Sequence, residues 1–341
     1  MSWTQRAYRY LLERWLRNPD AYWTWYRPAL RKARELVRRY QIPLVFTSAD
    51  PYTSHRIGLA LQREGCRWVT DLRDPHAYAA ETSSPRSVVR KKQIEIERQA
   101  VTKADAVTTA SGAIGLIVTD MYGLKDTERL CFIPVGVDEE LLPPPDDRPL
   151  RPWPYLLFCG EYLDRYGTEF IEVFAEALRI GEGSQLAHRL LVVGREEVNR
   201  PRILPAAQRF GIADRIEFLD HMPQQQLYRF VRGAAFALLP GSRAARWWCL
   251  PAKLADYIFF RKHVIAVVPD PSEARTRLLQ ANLGIFLDGD RCTCADTLMR
   301  ALTGRLRLPE PNQAECDRYS ARRQVESFIG IFERLLSARH P

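Results

Sequence analysis

Short apolar runs recur along the chain. Each is followed by a longer stretch whose apolar positions fall three or four apart. The runs at Pro43–Thr47 (PLVFT), Trp68–Asp71, Ala106–Thr109 and Cys131–Pro134 read as strands. Helices are expected between them at about 54–64, 85–103 and 111–121, the last capped by Ser111. The rhythm breaks at LLPPPDDRPLRPWP, ending at Pro154, which is too rich in proline for a helix or an inner strand. It then resumes with strands at Tyr155–Cys159, Arg189–Val193, 215–218 and 236–240, one from His263 and one near Ile285. The intervening helices are expected to end near Ile180, to cover 201–210 and 223–232, to open at Pro251 and Ser272, and to span 293–303. A final helix covers about 320–338. Apolar strands alternating with helices predict parallel sheets covered on both faces. The prolyl break divides the chain into a domain over 1–145 and a second over 155–318. A terminal helix over 319–341 follows.

Within this pattern, Gly241 to Val268 carries the most chemistry. A strand leads into a basic loop, a helix beginning at Pro251 and a further strand. In open parallel sheets, ligands bind beyond the carboxyl ends of strands, where helix N-termini offer N–H groups to anions. Lys253 and Asp256 lie three apart in the first turn and share a face. The lysine could meet a diphosphate and the carboxylate a sugar diol. The plainer alternative is a surface ion pair.

Composition narrows the partners. The 341 residues carry a formal charge of +9, mostly from arginine, which suits an anionic partner. The arginines are not gathered on one recognition helix and no nucleic-acid motif is present, so a nucleic-acid partner is not expected. Seven scattered cysteines without a CxxC pair read as reduced thiols of a cytoplasmic protein. No metal site is expected, and no run is long and apolar enough to span a bilayer. Residues 1–40, with helices at about 3–17 and 26–40, interleave Trp3, Trp15, Trp23 and Trp25 with arginines. Such a segment suits the headgroup region of an anionic membrane, or else its aromatics pack on the domain and its arginines are solvated.

The ordered set SADPYTSHRIGLAL, WVTDLRDP, ADAVTTAS, CFIPVGVD, YLLFCGEYLDRYGTEFIEVFAEAL, LLVVG, IEFLDHMPQQQLYRFVRGAAFALLP and LPAKLADYIFFRKHVIAV resembles the GT-B glycosyltransferases, specifically the retaining enzymes of family 4. The likeness runs over about residues 42–335. It implies two Rossmann-like, doubly wound parallel-sheet domains facing across a cleft, with the terminal helix crossing back to the first. It implies a UDP- or GDP-sugar donor, a lipid-linked or polysaccharide acceptor, and hexosyl transfer with retention. Neither cofactor nor metal is expected, since no DxD motif of the kind that metal-dependent transferases carry stands out. The site would lie in the cytoplasm, on the inner face of a membrane if residues 1–40 bind there.

Carried over by position, the resemblance puts Gly160, Glu161 and Arg165 beside the donor diphosphate. Pro251 and Lys253 stand at the second phosphate contact, Asp256 at the ribose or sugar, Ser242 and Arg243 around the sugar, and Gly194 and Asp220–Pro223 near the base. In the first domain it implies catalytic roles for Asp71, Arg73 and Asp74, with Thr47, Ser48 and His55 on the acceptor side. Taken singly, His55 and His221 read as structural or solvent-facing. Trp247 and Trp248 could stack on a ligand or pack beneath the loop.

Three departures open a second reading. Asp256 stands where the family has a longer glutamate, and Trp248 replaces that residue's usual partner. Glu161 puts a carboxylate beside the expected diphosphate, which calls for a cation to pair with it. The first domain is short, leaving PLVFT as an edge strand to be covered by the N-terminal helices, a second copy or another chain. A non-catalytic subunit supporting a partner transferase would also show these features.

Overall fold

The computed structural model describes residue 20, residues 22–75, 77–78, 88–124, 127–144, 148–181, 186–241 and 246–338. The expected helix at about 3–17 and the positions Ser242 and Arg243 lie outside these residues. The chain divides into two compact units. Residues 1–134 with 325–341 form one, and residues 135–324 form the other. This division falls ahead of the prolyl stretch. Val137 N–H donates to the Tyr319 carbonyl at 2.7 Å and Ala321 N–H to the Val137 carbonyl at 2.8 Å. Leu150 and Trp153 pack against the core of the second unit.

The first unit holds a four-stranded parallel sheet of β1 (Leu44–Ala49), β2 (Arg67–Leu72), β3 (Ala106–Thr109) and β4 (Leu130–Phe132), in that spatial order. Its helices are α1 (Tyr26–Tyr40), α2 (Thr53–Gln62), α3 (Val88–Lys103) and α4 (Gly112–Tyr122). The strands advance in one direction only. Right-handed crossovers therefore put α2, α3 and α4 on one face of the sheet, so this sheet is not doubly wound. On that face Leu59, Trp68, Leu72, Val101, Val107 and Val118 form the core. The opposite face is covered by the last helix of the chain, α12 (Ala321–Ser337). Its Phe328, Ile331, Phe332 and Leu335 pack on Val69, Ala106 and Ile133.

The apolar side chains of the edge strand are partly covered from within the chain, Phe46 remaining 42% exposed. Phe46 meets the Phe328 and Phe332 rings edge-on at 5.3 and 6.0 Å. Val45 joins the cluster in which Leu30 of α1 packs on Ile57 and Leu61 of α2. Among the described residues the other backbone edge of β1 pairs with no strand.

The second unit is doubly wound. Its strands β5 (Tyr155–Cys159), β6 (Arg189–Val193), β7 (Ile216–Leu219), β8 (Phe236–Pro240), β9 (Val264–Val267) and β10 (Gly284–Phe286) lie in the order β10-β9-β8-β5-β6-β7, all parallel. The direction of winding reverses between β5 and β8. Alternate residues of each strand feed opposite cores: Leu156 and Phe158 face one, Leu157 and Cys159 the other. The helices are α5 (Glu169–Ile180), α6 (Glu196–Arg209), α7 (Gln224–Gly233), α8 (Ala252–Phe259), α9 (Glu273–Gln280), α10 (Arg291–Leu302) and the short α11 (Gln313–Asp317). The expected start of α6 at residue 201 is five residues late. Its first turn is Glu196–Glu197, where carboxylates favour a helix N-terminus, and Pro201 and Pro205 lie inside the helix.

Candidate functional site

The reversal between β5 and β8 leaves a gap at their carboxyl ends, the place where α/β sheets admit ligands. Three segments meet there: the turn after β5, the end of β6 and the start of α8. Gly160 leaves β5 with φ +105°, in the region that favours glycine. Gly194 leaves β6 at φ +153°, and a Cβ there would meet the Gly160 carbonyl at 2.4 Å. A side chain at Gly194 would therefore push the β5 turn away.

Asn199 of α6 fixes that turn. It is fully buried, its Nδ2 donates to the Gly160 carbonyl at 3.0 Å, and its Oδ1 accepts from Tyr162 N–H at 2.7 Å. Asn199 is not among the positions that the sequence pattern marks. The available signal was an asparagine inside a helix it does little to stabilise. Glu161, the carboxylate that needed a partner, accepts from Arg195 Nε at 2.9 Å. Both side chains of that pair are exposed. The Arg165 backbone lies in the short 3-10 helix Asp164–Tyr166, while its side chain is outside the described residues.

Helix α8 begins at Ala252, with Pro251 as its N-cap in extended conformation rather than as its first residue. No side chain caps the first turn. Lys253 reaches back over β5. Its Nζ lies 3.8 Å from the centre of the Phe158 ring, and a Cβ on Gly160 would sit 3.3 Å from it. A Cβ at Gly160 would be in tight contact with the ammonium, which would have to shift slightly. The structure thus brings Gly160, Gly194 and Lys253 together.

One helical turn further on, Asp256 points toward α7. The Tyr228 hydroxyl donates to its carboxylate, and burial pushes the carboxyl up to about 6, the Tyr228 bond partly opposing that rise. Beneath it, Tyr257 is fully buried and its hydroxyl lies 3.1 Å from Cys159 Sγ. Burial drives that thiol up to about 11, so it is a packing group rather than a nucleophile.

Beyond the basic loop, Trp248 is buried and the Arg246 guanidinium lies over its ring at 5.3 Å. This tryptophan packs as core. The Trp247 carbonyl accepts from Glu273 N–H at 2.6 Å, tying the loop to α9. A small pocket beside the start of α8 is lined by Tyr166, Leu239, Gly241, Cys249, Pro251 and Val268. Asp220–Pro223, after β7, has Asp220 Oδ1 accepting from His221 N–H at 2.7 Å.

In the first unit the candidate residues sort into two networks at the ends of β1 and β2. Thr47 and His55 belong to the interior: His55 is 1% exposed and its Nδ1 lies 3.0 Å from both the Thr47 and Thr70 hydroxyls. Trp68 Nε1 donates to Thr47 Oγ1 at 2.8 Å. Neither residue presents its side chain to an acceptor, and the reading of His55 as structural fits this burial. The second network centres on Asp71, also 1% exposed. Its Oδ2 accepts from Ser48 Oγ at 2.8 Å and Arg73 Nε at 2.7 Å, and its Oδ1 from Thr108 Oγ1 at 2.7 Å. A carboxylate so occupied is a good anchor. Asp74, two residues beyond the strand end, is exposed.

A doubly wound sheet with a glycine turn at its switch point is of the Rossmann-like kind. With a second parallel α/β unit in the same chain, the architecture is the GT-B fold. No protein-family model matches the chain. It is 26% identical over 259 residues to the D-inositol 3-phosphate glycosyltransferase of Acidothermus cellulolyticus, aligning 71% of this chain with 56% of that protein. The chain thus spans little more than half the length of that curated relative. Among solved structures it resembles the sucrose-phosphate synthase of Thermosynechococcus elongatus, with TM-score 0.63 and 15% identity over 93% of this chain and 80% of that one. It also resembles a glycosyltransferase from Rickettsia africae, with TM-score 0.60 and 12% identity over 91% and 81%. At these identities the structural likeness is one of fold, and it agrees with the family 4 resemblance read from the sequence.

Proposed function

We propose that the chain is a glycosyltransferase that takes its sugar from a nucleotide diphosphate donor held at the switch point of the second unit. The observation that carries this is the position of Lys253, over Gly160 at the open first turn of α8. A diphosphate placed there would meet the lysine ammonium, the α8 N-terminus and the turn after β5. As the glycosidic bond breaks, negative charge grows on the leaving diphosphate, and these groups stabilise it without reorganising. Arg165, on the same turn as Gly160, supplies a second cation in this reading. Asp256, oriented by Tyr228, receives the ribose or sugar hydroxyls. Transfer with retained configuration, a lipid-linked or glycan acceptor and a place on the cytoplasmic face of a membrane follow from the family 4 resemblance and from the basic face of α1.

The test is a thermal-shift screen of UDP- and GDP-sugars on the full chain, followed by turnover of the stabilising donor. Lys253→Ala is expected to abolish the shift and to lower turnover at least a hundredfold, about 3 kcal/mol of transition-state stabilisation. Unchanged turnover in that variant would remove Lys253 from the site. The non-catalytic reading is favoured by Asp256, whose carboxylate is half-buried and already bonded. It predicts no turnover with any donor and recovery of a second chain on purification.

A further inference from the structure

We infer that Arg73 is an anion-binding residue of the first unit, held in place by Asp71, and that its ligand carries a phosphate- or carboxylate-type oxyanion. The observations lie at the carboxyl end of β2, where a parallel sheet presents its ligand groups. Asp71 is immobilised by three donors: Ser48 from β1, Thr108 from β3 and Arg73 itself. Ser48 and Thr108 hold the carboxylate from both sides, so it in turn fixes the guanidinium through Nε at 2.7 Å. That contact uses one of the five donors of the arginine, whose charge persists at any working pH.

The far side of the guanidinium decides between two roles. An arginine present only to neutralise Asp71 would turn its remaining N–H groups to water, and the side chain as a whole is 32% exposed. Nη1, however, is buried and has no hydrogen-bond acceptor among the described residues. A charged donor shielded from water and left unmatched is costly, and structures keep such groups where a ligand completes them. The planar fork suits an oxyanion, which can accept two parallel bonds. Asp71 is then a positioning residue and Arg73 the contact. Anion binding does not depend on the transferase reading. If that reading holds, its corollary is an acceptor bearing negative charge.

The experiment uses the full chain carrying Lys253→Ala, so that the second unit does not contribute. Inorganic phosphate and sodium acetate are titrated by calorimetry and thermal shift, against sodium chloride at equal ionic strength. Saturable binding of phosphate or acetate beyond the chloride response is expected, and the stronger of the two identifies the oxyanion class. Arg73→Gln should weaken it more than tenfold. Arg73→Lys, which keeps the charge without the fork, should weaken it severalfold. Asp71→Asn should weaken it as well, because it frees the guanidinium. Equal affinity in Arg73→Gln or Arg73→Lys, tighter binding in Asp71→Asn, or a response matched by chloride would overturn the proposal. Donor-dependent turnover, measured separately with Lys253 intact, can fail without touching this result.

Discussion

Asn199 shows how much of the site depends on one uncharged side chain. Its two bonds hold the carbonyl of Gly160 and the N–H of Tyr162. Asn199→Ala would strand those groups, at a cost of about 2–4 kcal/mol. The expected result is a lowered unfolding midpoint in urea and, for any donor identified, a KM raised more than kcat is lowered. Asp256 gives a pH-dependent test. Burial raises its carboxyl from the ordinary 3.8 to about 6, so the folded chain binds this proton more tightly than the unfolded chain. Stability contributed by the protonated form is therefore present below about pH 4 and lost as pH rises through about 6. Asp256→Asn should match the parent near pH 4 and exceed its stability by about 1–3 kcal/mol at pH 8. A constant difference across that range, read by chemical denaturation, would show that the carboxylate is not buried at a cost.

Elements were legible in proportion to how local their causes are. The strands 106–109, 155–159, 189–193 and 236–240 coincide with their apolar runs, since a strand buried on both faces has little else to record. Ser111 caps its helix as the sequence pattern implied, and Ser272, expected to open a helix, is its N-cap. Gly160 and Lys253 stand at punctuation points of the β/α rhythm and could be placed from it. Asn199 and Tyr228 could not, because their partners lie 37 residues away or on a different helix. Strand order was hidden for the same reason. Nothing local distinguishes a sheet wound one way from one wound both ways, so the return of the terminal helix to the first domain was expected, but the sheet face that it covers emerges only from the fold. That role is testable. Phe328→Ala or Ile331→Ala opens the cover that α12 puts on one sheet face and should cost about 3–4 kcal/mol by chemical denaturation. Replacing Val325, exposed on the same helix, should cost under 1 kcal/mol.

At the scale of the molecule, the charge of +9 is concentrated in part on α1. Arg27, Arg31, Lys32, Arg38 and Arg39 are exposed there, with Trp25 and Tyr40 exposed at its ends. Glu35, the helix's single acid, is paired with Lys32 at 2.6 Å. No helix of the described residues is long and apolar enough to cross a membrane. A surface of this kind should bind vesicles containing anionic lipid and release them as salt rises. Reversing Arg31, Arg38 and Arg39 to glutamate should weaken co-sedimentation more than tenfold, at about 1 kcal/mol per basic residue. Equal binding to neutral vesicles would show that charge is not the cause.

The cover that α12 puts on the first sheet also sets an order of events during synthesis. The residues from 325 onward leave the ribosome after the whole of the second unit, yet they close a face whose strands were made some two hundred residues earlier. Nascent chains halted before α12 should therefore expose Val69, Ala106 and Ile133 as a sticky surface. They should bind a holdase chaperone and be cut by protease within residues 44–132, while the second unit already resists. Protection that reached the first unit before α12 was made would show that its strands need no such seal.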